Sequence, residues 1–444
     1  MNLFRAYDLR GVYPDEINEK IAERVGKALG TFLQGKETVC VGFDTRPSSP
    51  ALFKSLVSGL ISTGCDVISL GMVPGPVTYF FAWRNKIFGC YLSASHNPVE
   101  WNGIKFFKPN GVSFTEELRL LERIYSSEKF IRGDGRLKEE RNAIKDYTSF
   151  LKTKIGKLEG RIVTDFLGGS GIASAGTFKE LGLEIIPLHD KPDPSLYGFH
   201  RLEPWGDLLK TAKEVVKKEK ANFAVLFDCD ADRSVFLDSH GNFINPSVMS
   251  TIFIENILKE RKGGKIVVTY DCASELENFV KKNNGKLIWN RIGHNFIEKR
   301  LIDEKALFGV EESSHFYFNT FYPFSDGTLS TLYLCKILNE TGKKLDELAV
   351  QSKFKPIEKL YVDAGSDEKK LKVVEKIKKE FPKAIDITDG VKIELNKVEW
   401  VLIRASQTLP EINICAEGKD KKRLREIVEK YKKIVEEKLR ELNE

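Results

Sequence analysis

Short apolar runs recur along the first three quarters of the chain, and each is followed by a polar loop, a helical pattern and a second apolar run. The pairs of runs are Thr38 to Phe43 with Val67 to Leu70, Arg161 to Phe166 with Leu183 to Leu188, and Lys265 to Tyr270 with Lys286 to Trp289. The runs are continuously apolar instead of alternating, which is typical of parallel strands covered by helices on both faces. Three copies of one unit predict three similar mixed α/β domains with largely parallel sheets.

After about Lys355 the pattern changes to that of an α+β domain. Strands are predicted over Lys359 to Val362, around Asp386 to Leu395 and over Trp400 to Ile403, with helices near Lys369 to Glu380 and from Lys419. The sequence therefore predicts a fourth, C-terminal α+β domain. We expect domain 1 over residues 1–145, domain 2 over 146–248, domain 3 over 249–354 and domain 4 over 355–444.

Composition fits an ordered globular protein. Hydrophobic residues make up 41% and charged residues 30% of the 444 residues, which excludes a disordered chain. No apolar run approaches the ~18 residues of a membrane span, and the first ten residues lack the pattern of a signal peptide, so we expect a cytoplasmic protein. The net charge of +6 suits an anionic metabolite as well as nucleic acid. Seven scattered cysteines without a Cys-x-x-Cys pair argue against a disulfide framework or a zinc site.

Two loops that follow predicted strands carry candidate chemistry, because ligands of parallel sheets bind where the strands end. The loop Ser93 to Pro98 places a serine beside a histidine, which fits either a nucleophile or a simple turn. The loop Asp228 to Arg233 carries an acid at every second position. Such oxygen ligands favour Mg²⁺, Ca²⁺ or Mn²⁺ over zinc, and an arginine at the sixth position, where an EF-hand needs glycine, disfavours calcium.

Two further loops suit a sugar and a phosphate. Gly309 to His315 contains a carboxylate, a hydroxyl and an imidazole, which can read vicinal sugar hydroxyls, although a polar helix start has the same composition. Arg404 to Pro410 combines a guanidinium with two hydroxyls, which suits a phosphate, although a turn is equally compatible. The four loops together supply a nucleophile, a divalent metal site, a polyol reader and a phosphate holder, which are the parts of phosphoryl transfer on a sugar phosphate.

In this order and spacing, four motifs resemble those of the α-D-phosphohexomutase superfamily. They are Ser95-His96-Asn97-Pro98, Asp228/Asp230/Asp232-Arg233, Glu311-x-Ser313-x-His315 and Arg404-x-Ser406-x-Thr408-x-Pro410. Three more segments resemble the bifunctional phosphomannomutase/phosphoglucomutase branch most closely, namely Tyr7 to Gly11, Gly71 to Pro74 and Asn102 to Lys105. The resemblance implies a heart-shaped molecule of four domains around a central cleft. It also implies an enzyme that interconverts hexose 1-phosphates and 6-phosphates of mannose, glucose or both.

The resemblance also implies roles for single residues. Ser95 would be carried as phosphoserine and transfer its phosphoryl group through a bound hexose 1,6-bisphosphate, which would also serve as the activator. Mg²⁺ would be held by the Ser95 phosphate and by Asp228, Asp230 and Asp232. Proton transfer is expected from Lys105, with His96, Arg10 and His294 as supports. Substrate contacts are expected from Arg233, Glu311, Ser313, His315, Arg404, Ser406, Gln407 and Thr408. We expect a small-molecule sugar phosphate as the partner, no nucleic acid or membrane, and a monomer or weak homodimer.

Four positions depart from the pattern of the superfamily. Cys229 and Ser314 stand where glycine is usual, and because a side chain limits positive φ we expect altered loop backbones. Asn413 stands where related phosphate loops often carry arginine, and the acid Asp271 stands near the place of a substrate-contacting lysine, which would weaken affinity for the distal phosphate. Two alternatives therefore remain open, a phosphoglucosamine mutase and a non-catalytic sugar-phosphate-binding paralogue, while a plain phosphatase is disfavoured by a cleft built to exclude water.

Overall fold

The computed structural model describes residues 3–5, 7–193, 195–199, 204, 206–349, 354–387, 390–406 and 409–442. Within these ranges the chain forms four sheets of six, five, four and five strands in chain order. No helix in the described ranges is long and apolar enough to cross a membrane. Three mixed sheets followed by one antiparallel sheet confirm the predicted four-domain α/β architecture.

The first unit is built on the six-stranded sheet. Its elements are β1 (Leu9–Val12), α1 (Glu19–Phe32), β2 (Thr38–Phe43), α2 (Ser49–Ile61), β3 (Asp66–Met72), α3 (Gly75–Asn85), β4 (Phe88–Leu92), β5 (Trp101–Phe107), α4 (Glu117–Ser127) and β6 (Leu137–Glu139), after which α5 (Ala143–Ile155) leads into the second unit. The strands lie in the order β1, β5, β4, β2, β3, β6. The strands β4, β2, β3 and β6 run parallel, β5 is antiparallel to β4, and β1 is antiparallel to β5.

The second and third units repeat this plan with fewer strands. The second contains β7 (Arg161–Asp165), α6 (Ala175–Glu180), β8 (Glu184–Leu188), α7 (Leu209–Lys218), β9 (Phe223–Phe227), β10 (Ser234–Leu237) and β11 (Phe243–Ile244). The third contains α8 (Pro246–Arg261), β12 (Gly264–Thr269), α9 (Glu275–Lys282), β13 (Gly285–Asn290), α10 (His294–Glu304), β14 (Phe308–Glu311), β15 (His315–Tyr317), α11 (Gly327–Thr341) and α12 (Leu345–Ala349). Short 3₁₀ turns span Ser170–Ser174, Leu196–Gly198 and Gly206–Leu208.

The three mixed sheets share one arrangement of parallel strands. The triplets β4-β2-β3, β9-β7-β8 and β14-β12-β13 each place in the middle the strand that comes first of the three along the chain. The strand that follows each triplet along the chain, β5, β10 or β15, turns back antiparallel beside its predecessor. The loops β4–β5, β9–β10 and β14–β15 therefore occupy equivalent places in the three units, and these are three of the four loops predicted to carry chemistry.

Burial on both faces explains the continuous apolar runs. In β2, Val39 and Val41 pack into the apolar cluster around α1 and α2, whereas Cys40 between them packs with α3 on the opposite face. The middle strands β7 and β12 likewise divide their neighbouring residues between two clusters. A strand with water on one face would need polar residues at alternate positions, so the absence of alternation was a valid sign of a covered sheet.

The fourth unit differs in topology from the other three. It contains β16 (Ile357–Asp363), α13 (Asp367–Glu380), β17 (Ile385–Asp386), β18 (Gly390–Glu394), β19 (Trp400–Ala405), β20 (Glu411–Glu417) and α14 (Lys421–Arg440). Its strands lie in the order β16, β20, β19, β18, β17, and all neighbouring pairs are antiparallel. The strand β20 was missing from the prediction. Its residues alternate between the helix-covered face and the opposite face, which left no continuous apolar run to recognise.

Candidate active site

Ser95 lies in the β4–β5 loop in a left-handed conformation, with φ of +51°. Its side chain is 2% exposed, and its Oγ donates a hydrogen bond to Asp228 Oδ2 at 2.9 Å. The backbone N–H of Ser95 donates to Ser93 Oγ at 2.8 Å, which helps to hold the turn. The structure therefore brings the predicted nucleophile into direct contact with the predicted metal ligands, although they are more than a hundred residues apart in the chain.

Two buried arginines hold the serine loop through its backbone. Arg10 pairs with Asp8 and donates to Ala94 O and to Asn97 Oδ1, both at 3.0 Å. Arg46 is fully buried and pairs with Asp44. Arg46 also donates to four main-chain carbonyls of the loop and its exit, those of Ser95 (2.6 Å), Asn97 (2.7 Å), Pro98 (2.5 Å) and Trp101 (3.0 Å). Sequence reasoning placed Arg10 at the site but missed Arg46, whose only signal was its place in the polar loop directly after β2.

Asp228, Asp230 and Asp232 lie together in the β9–β10 loop. All three are buried, and one carboxylate oxygen of each lies within 4.8 Å of the other two. Burial and repulsion from Asp230 and Asp232 raise the pKa of the Asp228 carboxyl well above its usual range. No hydrogen-bond donor among the described residues reaches Asp230 Oδ1, although this oxygen is buried. Oxygen-only ligands with an unsatisfied buried acceptor fit a hard divalent cation such as Mg²⁺.

The metal loop is anchored by the first and third units. Gly75, at the start of α3, donates its N–H to Asp230 O at 2.9 Å, and Gly327, at the start of α11, donates to Ala231 O at 3.1 Å. A Cβ at Gly327 would lie 2.7 Å from Arg233 O, so only glycine permits this approach. Sequence reasoning missed both anchors, because each acts through its backbone from another unit.

Lys105 is the cation closest to two of the three aspartates. It lies on β5, is 4% exposed, and its Nζ is 2.6 Å from Asp230 Oδ2 and 3.1 Å from Asp232 Oδ2. Burial opposes charge on this ammonium, but Asp230 and Asp232 outweigh burial and hold the pKa of Lys105 well above its ordinary value. The predicted proton-transfer residue therefore lies at the acid cluster as a charged group.

Arg233 and His96 connect the serine to the rest of the site. Arg233 Nη2 lies 3.0 Å from His96 Nδ1, and Arg233 Nε lies 3.4 Å from Asp228 Oδ2. His96 Nδ1 is also 3.4 Å from Ser95 Oγ. Both residues wall the central cavity, whereas Ser95 and the acidic trio do not. His96 and Arg233 therefore lie between the cavity and the serine.

The third unit contributes a carboxylate and an imidazole that are paired with each other. Glu311 is the last residue of β14, not a loop residue as predicted, because β14 continues to it along β12 and β15. His315 Nδ1 lies 2.9 Å from Glu311 Oε2, and His315 Nε2 lies 3.1 Å from Asp232 Oδ1. Burial opposes charge on His315, but Asp232 and Glu311 together outweigh it and raise the pKa of His315 to about 9. Ser313 Oγ is 2.9 Å from His315 Nδ1, so the predicted residues form one connected group.

Glu311 is held in place by neighbours of the same unit. Gly293 N–H donates to Glu311 Oε1 at 2.8 Å, and Tyr317 Oη donates to Glu311 Oε2 at 3.0 Å. Burial works against ionisation, but these contacts and His315 lower the pKa of Glu311 to about 2. His294 follows Gly293 at the start of α10, and its ring lies 5.8 Å from the ring of Tyr7. His294 walls the same cavity from the third unit.

The loop after β19 provides the fourth group of predicted residues. Arg404 lies near the end of β19, and its Nη2 donates to Tyr7 Oη at 3.2 Å. Ser406 donates its N–H to Glu411 O at 2.8 Å, and its Oγ accepts from Leu409 N at 3.2 Å, which closes the loop. The predicted contacts Gln407 and Thr408 lie outside the described residues. Arg404 and Ser406 line the central cavity together with Asn413.

The central cavity has walls from all four units and a volume of about 150 Å³. It is lined by residues that include Tyr7, Arg10 and His96 of the first unit, Arg233 of the second, His294, Glu311 and His315 of the third, and Lys359, Arg404 and Ser406 of the fourth. His96 and Arg233 form one end of the cavity, with the buried Ser95 hydroxyl and the acid cluster directly behind them, and cationic and hydroxyl groups lie at the other end. Such a site can hold a polyol that carries an anionic group.

The loop backbones differ from the sequence expectation at the two positions where glycine is usual. Ser314 adopts φ of +68° although it carries a side chain, so the left-handed turn is kept. Cys229 is absent from the left-handed residues, and its Sγ packs 3.5 Å from Asp44 Oδ2 in the first unit. The equivalent loops of all three units contain one non-glycine residue with positive φ, namely Ser95, Ala231 and Ser314. A side chain at position 314 therefore does not prevent a positive φ in this loop.

Comparisons with known proteins cover nearly the whole chain. Models of the family described as phosphoglucomutase/phosphomannomutase match residues 1–132 (alpha/beta/alpha domain I), 142–241 (domain II), 245–354 (domain III) and 363–434 (C-terminal domain). The chain is 34% identical to a phosphoglucomutase/phosphomannomutase of Thermococcus kodakarensis, over 99% of both chains. It is 30% identical to a probable phosphoglucosamine mutase of Methanopyrus kandleri, again over 99% of both.

Among solved structures, the chain resembles a phosphoglucomutase/phosphomannomutase family protein from Burkholderia thailandensis. The TM-score is 0.86 with 25% sequence identity, and the match covers 98% of this chain and 97% of the other. The resemblance noted from the sequence is thereby confirmed along the whole length. The relatives carry two different substrate names, so likeness alone does not select the sugar.

Proposed function

Since the chain belongs to the phosphoglucomutase/phosphomannomutase family, we propose that it interconverts hexose 1-phosphates and 6-phosphates, with mannose and glucose as the sugars. Membership of the family makes it a phosphohexomutase, an intramolecular phosphotransferase. The observation that carries the proposal is the 2.9 Å contact between Ser95 Oγ and Asp228, within the acidic trio and close to Lys105. This contact joins a nucleophile to a cation site at one end of a cavity that all four units line.

Ser95 is the proposed carrier of the phosphoryl group. The bond between Ser95 Oγ and phosphorus breaks, a bond forms between phosphorus and the free hydroxyl oxygen of a bound hexose phosphate, and the hydroxyl proton ends on Ser95 Oγ, so that a 1,6-bisphosphate and an unphosphorylated serine result. The bisphosphate reverses its orientation, and its other phosphate returns to Ser95. The left-handed turn at Ser95, held by Arg46 through four carbonyls, keeps the oxygen in one position through both transfers.

Asp228, Asp230 and Asp232 are the proposed ligands of Mg²⁺, together with the phosphate of Ser95. When bound, the cation supplies positive charge that stabilises the transferring phosphoryl group. The buried and unsatisfied Asp230 Oδ1 supports this assignment. Arg233 lies beside Asp228 and screens the negative charge of the phosphoserine.

Protons at the reacting oxygens are assigned to the first unit. Lys105 contacts the acid cluster, and His96 lies close to Ser95 Oγ. These two residues are the proposed groups that hold or move the proton. Arg10 supports the serine loop through Ala94 O, and His294 supports the opposite wall of the cavity. The sugar is read by Glu311, Ser313 and His315, while Arg404 and Ser406, with Gln407 and Thr408, grip the phosphate that is not reacting.

A phosphoglucosamine mutase is the second candidate, because a relative of that name is 30% identical over nearly the full length. Its preferred substrate carries an ammonium where glucose and mannose carry a hydroxyl. Rates with glucose, mannose and glucosamine phosphates at equal concentration distinguish the two candidates. We further propose a cytoplasmic enzyme that is monomeric or weakly dimeric and has no nucleic-acid or membrane partner.

A coupled assay with intact-mass analysis tests the proposal. Hexose 1-phosphate, Mg²⁺ and a trace of the 1,6-bisphosphate should give hexose 6-phosphate. Incubation with the bisphosphate alone should add one phosphate to the protein, mapped to Ser95. Turnover without a phosphate at residue 95 would refute the phosphoserine mechanism. Absence of turnover with every hexose, despite a phosphorylated Ser95, would favour the non-catalytic paralogue.

A further inference from the structure

We propose that Lys359, on the first strand of the fourth unit, is a second cation of the phosphate-holding end of the cavity, and that Asp271 of the third unit positions it there. This inference rests on the proposed function, since it assigns Lys359 to the phosphate that is not reacting. Lys359 belongs to no recognised sequence motif, and from the sequence Asp271 was expected only to weaken phosphate binding. The structure places the two together.

The register of the fourth sheet puts Lys359 on the cavity face. In β20, Asn413 pairs with Arg404 of β19 on one side and with Tyr361 of β16 on the other. One row further along β20, Cys415 pairs with Leu402 and with Lys359 in the same way. Directly paired residues of antiparallel strands project from the same face. All six of these residues line the cavity.

The intervening residues confirm the orientation of the sheet. Val362 on β16, Ile403 on β19 and Ile412 on β20 belong to the apolar cluster packed against α13 and α14. The helices therefore cover one face, and the rows of Arg404 and Lys359 occupy the other. Lys359 is consequently fixed on the same surface as Arg404, one cross-strand row away.

The contact with Asp271 leaves hydrogen-bonding capacity on Lys359. Lys359 Nζ lies 3.2 Å from Asp271 Oδ2, and Asp271 Oδ1 accepts from Thr269 Oγ1 at 2.6 Å. Within the described part of the chain, Asp271 is the one hydrogen-bond acceptor of this ammonium. An ammonium has three N–H groups, so two are left for a ligand in the cavity. The side chain of Lys359 is 25% exposed, which is compatible with contact to a ligand.

The surrounding charges keep Lys359 cationic. Burial alone would lower its pKa, but Asp271, Cys415 and Glu312 together outweigh burial, and the pKa of Lys359 lies well above its ordinary value. Asp271 is anchored by Thr269 at the end of β12, so it holds the ammonium at a defined place between two units. The acid thus orients a cation, which reverses the expectation that Asp271 weakens phosphate affinity.

A purely structural ion pair between the third and fourth units is the competing explanation, and three variants separate the two. Lys359→Met removes the cation, Asp271→Asn removes its partner, and Lys359→Arg restores a cation. Lys355→Met is the matched control. Lys355 pairs with Glu275 of the third unit at 2.7 Å, its side chain is also 25% exposed, and it does not line the central cavity.

Steady-state kinetics with the 1-phosphate and the 6-phosphate give the first readout. For Lys359→Met we expect KM to rise about tenfold or more for both substrates while kcat changes little, because a hydrogen bond to a charged group is lost in every bound state. Lys359→Arg should recover most of this loss. Asp271→Asn should raise KM by less than Lys359→Met does, because the cation remains. Equal losses in Lys359→Met, Asp271→Asn and Lys355→Met would show a structural pair and overturn the proposal.

Calorimetric binding of inorganic phosphate to each full-length variant gives a second readout that needs no turnover. Lys359→Met should bind phosphate about tenfold more weakly than Lys355→Met, and thermal melting should confirm that both are folded. Unchanged phosphate affinity in a folded Lys359→Met protein would overturn the inference even if the mutase activity is confirmed. Absence of turnover in the unaltered protein, together with weaker phosphate binding in Lys359→Met, would refute the proposed function and leave the phosphate site standing.

Discussion

The two ends of the cavity are built in different ways. At the serine end, buried loops from the first and second units meet, and the acidic trio contacts Ser95, Lys105 and Arg233 directly. At the phosphate end, Arg404 and Lys359 project from an antiparallel sheet and reach partners in other units, Tyr7 and Asp271. The serine end is anionic and enclosed, whereas the phosphate end is cationic and closed by contacts between units.

The difference fits the separate demands of a phosphoryl transfer that runs in both directions. The proposed mechanism requires that the Ser95 oxygen be placed accurately, and its loop is held by the buried guanidinium of Arg46, while Gly75 and Gly327 anchor the neighbouring metal loop. In the proposed mechanism the other end must accept either phosphate of a substrate that turns around, and its positive charge serves both orientations.

Replacing Ser95 by alanine should have the largest effect. Loss of the only proposed phosphoryl carrier should lower kcat by about 10³-fold or more, because no other step replaces covalent transfer. Melting temperature should change little, since the methyl group fits the same turn. The coupled assay measures the loss, and Ser149→Ala, on the exposed surface of α5, is the matched control. Activity within tenfold of the unaltered protein would show that the enclosed end does not contain the nucleophile.

Replacing Arg46 by methionine tests whether the serine end is rigid because of this side chain. The change leaves Asp44 and four loop carbonyls without their buried partner. The free energy of unfolding of the first unit should fall by about 3–5 kcal/mol, as for other broken buried ion pairs. Urea unfolding of the full chain measures this, and hydrogen exchange should rise over residues 93–101.

The matched control for Arg46 is Arg161→Met at the start of β7. Arg161 is 41% exposed and pairs with Glu184 and Glu219 at the surface, so its loss should change stability by less than about 1 kcal/mol. Similar losses of stability in Arg46→Met and Arg161→Met would contradict the view that the buried Arg46 contributes more than the surface ion pairs of Arg161. Activity of Arg46→Met should fall as well, because the position of Ser95 Oγ is no longer fixed.

The sequence predicted most of the fold and the serine end, and the reasons are physical. Covered parallel strands leave continuous apolar runs, and the polar loops that follow them in β4–β5 and β9–β10 were visible as local motifs. Arg46 could not be recognised, because its acceptors are main-chain carbonyls some fifty residues away that carry no sequence signal. Lys359 and Asp271 lie 88 residues apart and meet only when the third and fourth units dock. The strand β20 alternates in polarity, so it was not recognised either.

Replacing Lys105 by methionine tests the charge balance of the serine end. Its ammonium contacts two carboxylates of the trio, so removing it should destabilise the metal-free protein and tighten Mg²⁺ binding by about tenfold. Turnover should fall by about 10²-fold, because a group that holds or moves a proton is lost. Melting curves with EDTA and with Mg²⁺ measure the first effect, and the coupled assay measures the second.

Lys108→Met, which removes the neighbouring lysine that pairs with Glu117, is the control for Lys105. It should leave both the requirement for Mg²⁺ and turnover unchanged. Chelation of the metal should abolish activity in the unaltered protein and in the control, and added Mg²⁺ should restore it. An unchanged Mg²⁺ affinity in Lys105→Met would mean that the lysine does not compete with the cation for the acidic trio.

The smallest expected effect concerns Glu312, beside the phosphate end. Burial raises the pKa of Glu312 to about 7, against the opposing effect of Lys359, and its carboxyl accepts from Asn245 and Ser247. Because the folded pKa exceeds the unfolded value of 4.5, the stabilising contribution of the protonated acid is complete below about pH 4.5 and disappears as pH rises through 7. Between pH 5 and pH 7 this group should lower the free energy of unfolding by about 2 kcal/mol.

Glu312→Gln should remove this part of the pH dependence, since an amide keeps the hydrogen-bonding capacity without ionising. Urea unfolding at pH 5, 6 and 7 should show a variant that gains stability relative to the unaltered protein as pH rises. Glu117→Gln provides the control, because the pKa of Glu117 is lowered, with the Thr115 N–H and Lys108 overcoming the opposing effect of burial. The stabilising contribution of its carboxylate is therefore complete above about pH 4.5, and this variant should show little change in stability relative to the unaltered protein between pH 5 and pH 7. If the stability of Glu312→Gln depends on pH as steeply as that of the unaltered protein, Glu312 does not take up the proton in this range. Its carboxylate is then ionised and adds a negative charge beside Lys359.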